Sequence, residues 1–175
     1  MSSDEITPDA KDWTWVINAP CPDCGLDAAP VPYDEIPGRL KTNAATWVEV
    51  LARPDVRDRP SPDVWSPLEY ACHVRDVFTL FDQRLQRMLT EDDPLFANWD
   101  QDETAVQEKY AEQDPVTVAA AIPPAAAKLA TRFAQVTDRA RTGRRSDGAV
   151  FTIDSFARYL LHDPVHHLHD VGAGD

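Results

Sequence analysis

Glycine is scarce in this chain, 6 of 175 residues, and none of it forms the glycine-rich loop that cradles a nucleotide phosphate. Basic residues are also few. Lys and Arg total 17 against 30 Asp and Glu, a formal net charge of −13, and the isoelectric point is near 4.6. This opposes DNA or RNA binding, which needs a basic stripe. The one small basic cluster, Arg139, Arg141, Arg144 and Arg145, reads as a solvated helix end with its following loop. No apolar run approaches the roughly 20 residues that span a bilayer. Met1-Ser2-Ser3-Asp4-Glu5 lacks the charge and apolar stretch of a signal peptide, so a cytoplasmic protein with neither membrane nor nucleic acid as partner is expected. Three cysteines in a reducing compartment exclude a disulfide framework, leaving Cys21 and Cys24 to a metal or redox explanation. Apolar alternation of strand length is absent too, so no sheet of three or more strands is expected.

What is present is helical. Hydrophobic residues make up 43% of the chain, enough for one core without disulfides. Residues 1–32, rich in proline and acid, read as an extended arm that docks through Trp13 and Trp15, followed by one domain over 33–175. Ile36, Leu40, Ala44, Trp47 and Leu51 recur at helical spacing until Pro54. Ser66-Pro67-Leu68-Glu69 is a helix start, with Ser66 as N-cap, Pro67 at the first position and Glu69 closing a capping box. Val74, Val77, Phe78, Phe81 and Leu85 continue its stripe. Residues 102–141 are helical in composition, with a fresh start at Asp114-Pro115 and a kink or second start at Pro123-Pro124. Beyond a basic loop bracketed by Gly143 and Gly148, Ile153, Phe156, Leu160, Pro164 and Leu168 repeat again. The pattern predicts main helices near 33–53, 66–90, 115–141 and 152–170. An all-α four-helix bundle with an extended N-terminal arm follows, since helices with one apolar stripe bury it most simply against one another.

Four of the five histidines fall between positions 162 and 169, and His73 stands alone upstream beside Val74 of the apolar stripe. On a continuous helix, His162, His166 and His169 share a face and His167 is turned about 100° away. Pro164 interrupts that run. Either Asp163-Pro164 opens a new short helix, or a kinked helix retains the His162/His166 pairing; the second reading is preferred. A bundle can bring His73 beside this helix, so the leading expectation is a divalent metal, zinc or nickel, with imidazole ligands.

Trp65-Ser66-Pro67-x-Glu69-x-x-x-His73 on one helix and His162-x-x-x-His166 on the last resemble the DinB/YfiT-like superfamily over roughly residues 33–171. The resemblance implies a bundle with crossover connections and one divalent ion held by His73, His162 and His166. It also implies thiol chemistry, since some relatives use mycothiol, bacillithiol or glutathione as S-transferases or maleylpyruvate isomerases. The chain departs from the pattern at Pro164, at His167-Leu168-His169-Asp170, and in its Cys21-Pro22-Asp23-Cys24-Gly25 arm.

Three protein ligands leave coordination positions free for water, a thiolate or substrate, and a bound thiol would be deprotonated at neutral pH. A metal-dependent low-molecular-weight-thiol transferase acting on a small molecule is therefore the first functional expectation. A metal-binding, stress-associated bundle without turnover is the second, and a homodimer is left open. Arg75 and Arg158 are expected to recognise the carboxylates of a bound thiol, and Asp76, Asp163 or Asp170 to orient ligand rings. Cys21 and Cys24 resemble half of a zinc knuckle, which His167 and His169 could complete as a second, structural site. A redox dithiol and an unliganded turn remain the alternatives. Cys72 reads as a small buried hydrophobe.

Overall fold

The Ser66 hydroxyl accepts from the Glu69 backbone N–H at 3.3 Å while the Glu69 carboxylate accepts from the Ser66 N–H at 2.8 Å. This capping box starts the longest helix where its residues call for it. The computed structural model describes residues 6–174. Its helices are α1 (Ile36–Leu51), α2 (Pro67–Thr90), the short α3 (Gln101–Gln107), α4 (Pro115–Ala134) and α5 (Ile153–Asp170). The four long ones form the bundle, in which α1 and α2 each pack against both α4 and α5. The core between them is apolar and dense, with Trp47, Phe78, Phe133 and Phe156 almost wholly removed from water. No helix of the described residues is long and apolar enough to cross a membrane.

Two expectations are corrected at the helices. Pro123 and Pro124 lie inside an unbroken α4, which ends at Ala134 rather than near 141. Residues 101–112 form the separate α3 and a short 3-10 turn, Tyr110–Glu112. Pro164 likewise lies inside α5, which runs through as one helix.

A third correction is a small sheet. β1 (Leu95–Phe96) pairs parallel with β2 (Thr142–Arg145), and β2 pairs antiparallel with β3 (Val150–Thr152). Strands of two to four residues are too short to show alternation in sequence. Gly143 permits the arrangement, because a Cβ there would lie 2.6 Å from Phe96 Cζ and 2.9 Å from Met88 Cγ. The arginines expected on a solvated helix end instead tie this region together. Arg141 donates to the carbonyls of Met88 and Glu91, and Arg144 pairs with Asp93 at 2.8 Å.

The arm lies against α5, with a 3-10 turn at Thr14–Ile17 contacting the helix. Arg158 of α5 holds its end by donating to the carbonyls of Ala28, Ala29 and Val31.

Candidate metal centre

Positions four apart on a helix stack on one face, and adjacent positions are turned by about 100°. α5 therefore carries His162 and His166 on one face and Asp163 and His167 on the next. The unbroken course of α5 through Pro164 keeps both pairs in register, and the rings of His162 and His166 are 4.9 Å apart between centroids. Asn43 of α1 donates its Nδ2 to the Pro164 carbonyl at 3.0 Å, fixing α5 at this point.

The Asp163/His167 face meets α2. His73 Nε2 lies 3.3 Å from Asp163 Oδ1 and 3.4 Å from Oδ2, and His167 Nε2 lies 3.7 Å from Asp163 Oδ2. On its other side His167 donates Nδ1–H to Asp170 Oδ2 at 2.8 Å, which fixes the ring with Nε2 facing Asp163. His73 is 1% exposed, stacks on Trp99 with centroids 5.5 Å apart and has no hydrogen-bond partner at Nδ1 among the described residues. Ligand atoms of His73, Asp163 and His167 all lie within 4.8 Å of one another. Two imidazoles and one carboxylate suit a divalent transition-metal ion.

The His162/His166 face meets the arm. The Cys21-to-Gly25 segment closes on itself, with Gly25 N–H donating to the Cys21 carbonyl at 2.8 Å and Cys21 N–H to the Leu26 carbonyl at 2.9 Å. Gly25 takes a φ of +76°, the left-handed region that favours glycine. Cys21 Sγ lies 3.6 Å from His166 Nδ1, and ligand atoms of Cys21, Cys24, His162 and His166 are again mutually within 4.8 Å.

The two faces differ electrically. Burial works to raise the Asp163 pKa, but the His73 and His167 imidazoles overcome it and hold the carboxyl well below its usual range. Burial likewise opposes the charged form of His167, yet Asp163 and Asp170 raise its pKa above the ordinary value. His162 is pushed down to about 4 by burial and by the neighbouring His166. Burial also lowers His166, with Asp170 opposing it. Burial, reinforced by the adjacent Cys21 thiol, raises Cys24 to about 11.

A cavity of about 410 Å³ opens onto these groups, its walls including Trp13, Phe81, Arg84, Trp99 and Tyr159. Arg84 donates to the Ala97 carbonyl at 3.0 Å and its guanidinium lies 5.3 Å from the Phe96 ring centroid. Burial lowers its pKa to about 10.

Residues 38–171 match the family model of the DinB superfamily. The chain belongs to that superfamily. Among solved structures it is similar to YfiT from Bacillus subtilis, with a TM-score of 0.64 and 18% identity over 97% of this chain and 91% of that one. That structure is described as a probable metal-dependent hydrolase with an unusual four-helix bundle topology. No curated protein matches the chain.

Against this superfamily scaffold, the expected ligand residues come together in a different partition. His73, His162 and His166 were expected as one set; the structure puts His73 with Asp163 and His167, and His162 and His166 with Cys21 and Cys24. The reason is the turn between adjacent helix positions, which aims one pair at α2 and the other at the arm. His167 does not join the cysteines, and His169 is exposed, its ring 6.2 Å from that of His166. Asp163, expected only to orient a ligand ring, lies with its carboxylate among the grouped donor atoms of His73 and His167. Its spacing of four to His167 was the available signal.

Arg75 and Arg158 do not line the cavity. Arg75 is bound to Asp76 and Gln113, and Arg158 to Asp154 and the arm's carbonyls. Asp76 accepts from the Tyr110 hydroxyl rather than from a ligand ring. Arg84 and Arg145 are the cavity's arginines. Cys72 is fully buried, its thiol raised to about 12 by burial.

Proposed function

We propose that this protein is a metal-dependent enzyme acting on a small molecule, with His73, Asp163 and His167 as the ligands of a catalytic divalent ion. The observation that carries the reading is a three-residue ligand set beside a cavity. Three ligands from the chain leave coordination positions open, as catalytic sites require. The ion would supply Lewis acidity, lowering the pKa of a thiol or water bound in the open position.

The chain's own groups prepare this. Asp170 fixes the tautomer and orientation of His167 through Nδ1. Trp65 and Trp99 pack on the His73 ring, with centroids 5.5 Å away in each case, and keep bulk water from it. Arg84 has no carboxylate partner among the described residues and stands in the cavity wall as the anchor for an anionic group of the bound molecule. We assign the reaction to transfer of a low-molecular-weight thiol such as mycothiol, bacillithiol or glutathione onto an electrophile, with the thiol's own carboxylate held by Arg84.

Hydrolysis is the second reading. It is favoured by the description of the YfiT structure as a probable metal-dependent hydrolase, and it needs only water in the open position. The test follows loss of free thiol and, separately, cleavage of an activated ester, comparing metal-loaded protein with His73→Ala. Thiol loss that depends on His73 supports transfer, and ester cleavage that depends on His73 moves the assignment to hydrolysis. Equal rates in both assays would make the protein a non-catalytic metal-binding bundle.

A further inference from the structure

We infer that Cys21, Cys24, His162 and His166 form a second metal site, a closed tetrahedral zinc site that staples the arm to α5 and makes the arm a wall of the cavity. The site stands on different residues from those of the proposed catalytic centre.

Four observations converge on it. The ligand atoms lie mutually within 4.8 Å, from segments some 140 residues apart in sequence. Two thiols and two imidazoles are the donor set zinc takes in structural sites, with the two-residue cysteine spacing of a knuckle. The knuckle is already shaped, closed by the Gly25-to-Cys21 and Cys21-to-Leu26 hydrogen bonds with Gly25 in the left-handed region. His162 is only 4% exposed, and its Nε2 has no partner among the described residues. A buried imidazole nitrogen without a partner is costly unless something fills the position. A redox dithiol would need neither imidazole, and two imidazoles beside two cysteines are what a zinc ion requires.

The two histidines are also oriented for the task. His166 Nε2 lies 3.7 Å from Asp170 Oδ1 while its Nδ1 faces Cys21. The Trp13 ring covers the outside of the pair, 5.2 Å from His162 and 5.0 Å from His166 between centroids. Zinc entry releases the two thiol protons to solvent and leaves four protein ligands with no open position, so this ion has no catalytic role. Its consequence is positional. Trp13, together with Asp9 and Lys11, lines the cavity from the arm, on the stretch between the Thr7 bonds to Asp63 and the Arg158 grip that begins at Ala28.

Cobalt(II) substitution of the full-length protein tests the site without reference to activity. The expected result is a thiolate-to-cobalt charge-transfer band with tetrahedral ligand-field bands, lost in Cys24→Ser and retained in His73→Ala. Zinc analysis should find two ions per chain, falling to one in each variant. Chymotrypsin cleavage after Trp13 and Trp15 should accelerate at least tenfold in Cys24→Ser, with the bundle intact by circular dichroism. Absence of the charge-transfer band in cobalt-loaded wild-type protein would overturn the site. So would a single ion retained in Cys24→Ser and lost in His73→Ala. A charge-transfer band with no second ion would support this site while removing the proposed catalytic one.

Discussion

Adjacent faces of α5 carry two candidate ligand sets of opposite character. On the arm side, two cysteines and two histidines make a complete set of four, with His162 4% exposed. On the α2 side, two histidines and a carboxylate make an incomplete set of three, with Asp163 still 32% exposed at its side chain. α5 places its share of both sets within six consecutive residues, 162–167. What divides them is which neighbour each face meets: a loop that brings two further ligands, or a helix that brings one and leaves room.

The sharpest way to break that comparison is to remove one set at a time. His73→Ala should weaken metal binding at the α2-side set by more than about 100-fold, exceeding what loss of a supporting partner costs, while the arm-side set keeps its ion. Isothermal titration with metal checks this, and loss of both ions together would show that the two sets are one site. Asp170→Asn should have a smaller effect, because it removes the acceptor that holds His167 Nδ1 but leaves all ligands in place. A reduction of about 10- to 100-fold in affinity is expected at the α2-side set. A smaller one is expected at the arm-side set, where Asp170 stands 3.7 Å from His166.

Next comes the frame that presents His73. Glu69 has its pKa held below the ordinary 4.5: burial opposes its charge, and hydrogen bonds from Arg59 and Ser66 outweigh burial. A depressed folded-state value means that Glu69 contributes stability above its unfolded-state pKa and loses it as pH falls through the folded-state value. Glu69→Gln should therefore cost about 1–3 kcal/mol near neutral pH, and the difference from wild type should shrink in acid. Denaturant unfolding at both pH values measures this, and a constant difference would remove the ionised carboxylate from the account. Ser66→Ala removes only the cap's side-chain acceptor for the Glu69 N–H and should cost about 1 kcal/mol. Metal binding at the arm-side set should stay unchanged in it.

Much of the bundle was legible because its signals are local. The Ser66 capping box, the stripe through Phe78 and Leu85 and the apolar period of residues 153–168 each report a helix from within a few turns of chain. The small sheet was not legible, because β1 and β2 pair segments some 50 residues apart and no strand, including those of the local β2–β3 hairpin, is long enough to alternate. Pro123 and Pro124 signalled a kink or second start that α4 does not make, whereas at Pro164 the preferred reading of one helix keeping His162 and His166 in register agrees with the course of α5. Packing against neighbouring helices keeps the chain helical despite the missing N–H groups, and at α5 the Asn43 bond to the Pro164 carbonyl ties the helix to α1. Arg75 and Arg158 looked free for a substrate, but each is held by a nearby carboxylate, Asp76 or Asp154, and by long-range partners, Gln113 for one and the arm's carbonyls for the other.

By itself the sequence determined that the chain is helical, acidic and supplied with metal-ligating side chains at helical and knuckle spacing, since composition and periodicity act through neighbours in the chain. Only the tertiary structure decided which ligands meet. His162 and Asp163 are consecutive residues, yet a rotation of about 100° sends one toward Cys21 and Cys24 and the other toward His73. Which of those directions faces the arm and which faces α2 depends on how α5 is rotated in the bundle. That rotation is set by the burial of Phe156, Leu160 and Leu168 in the shared core, a property of the assembled bundle that no local spacing contains.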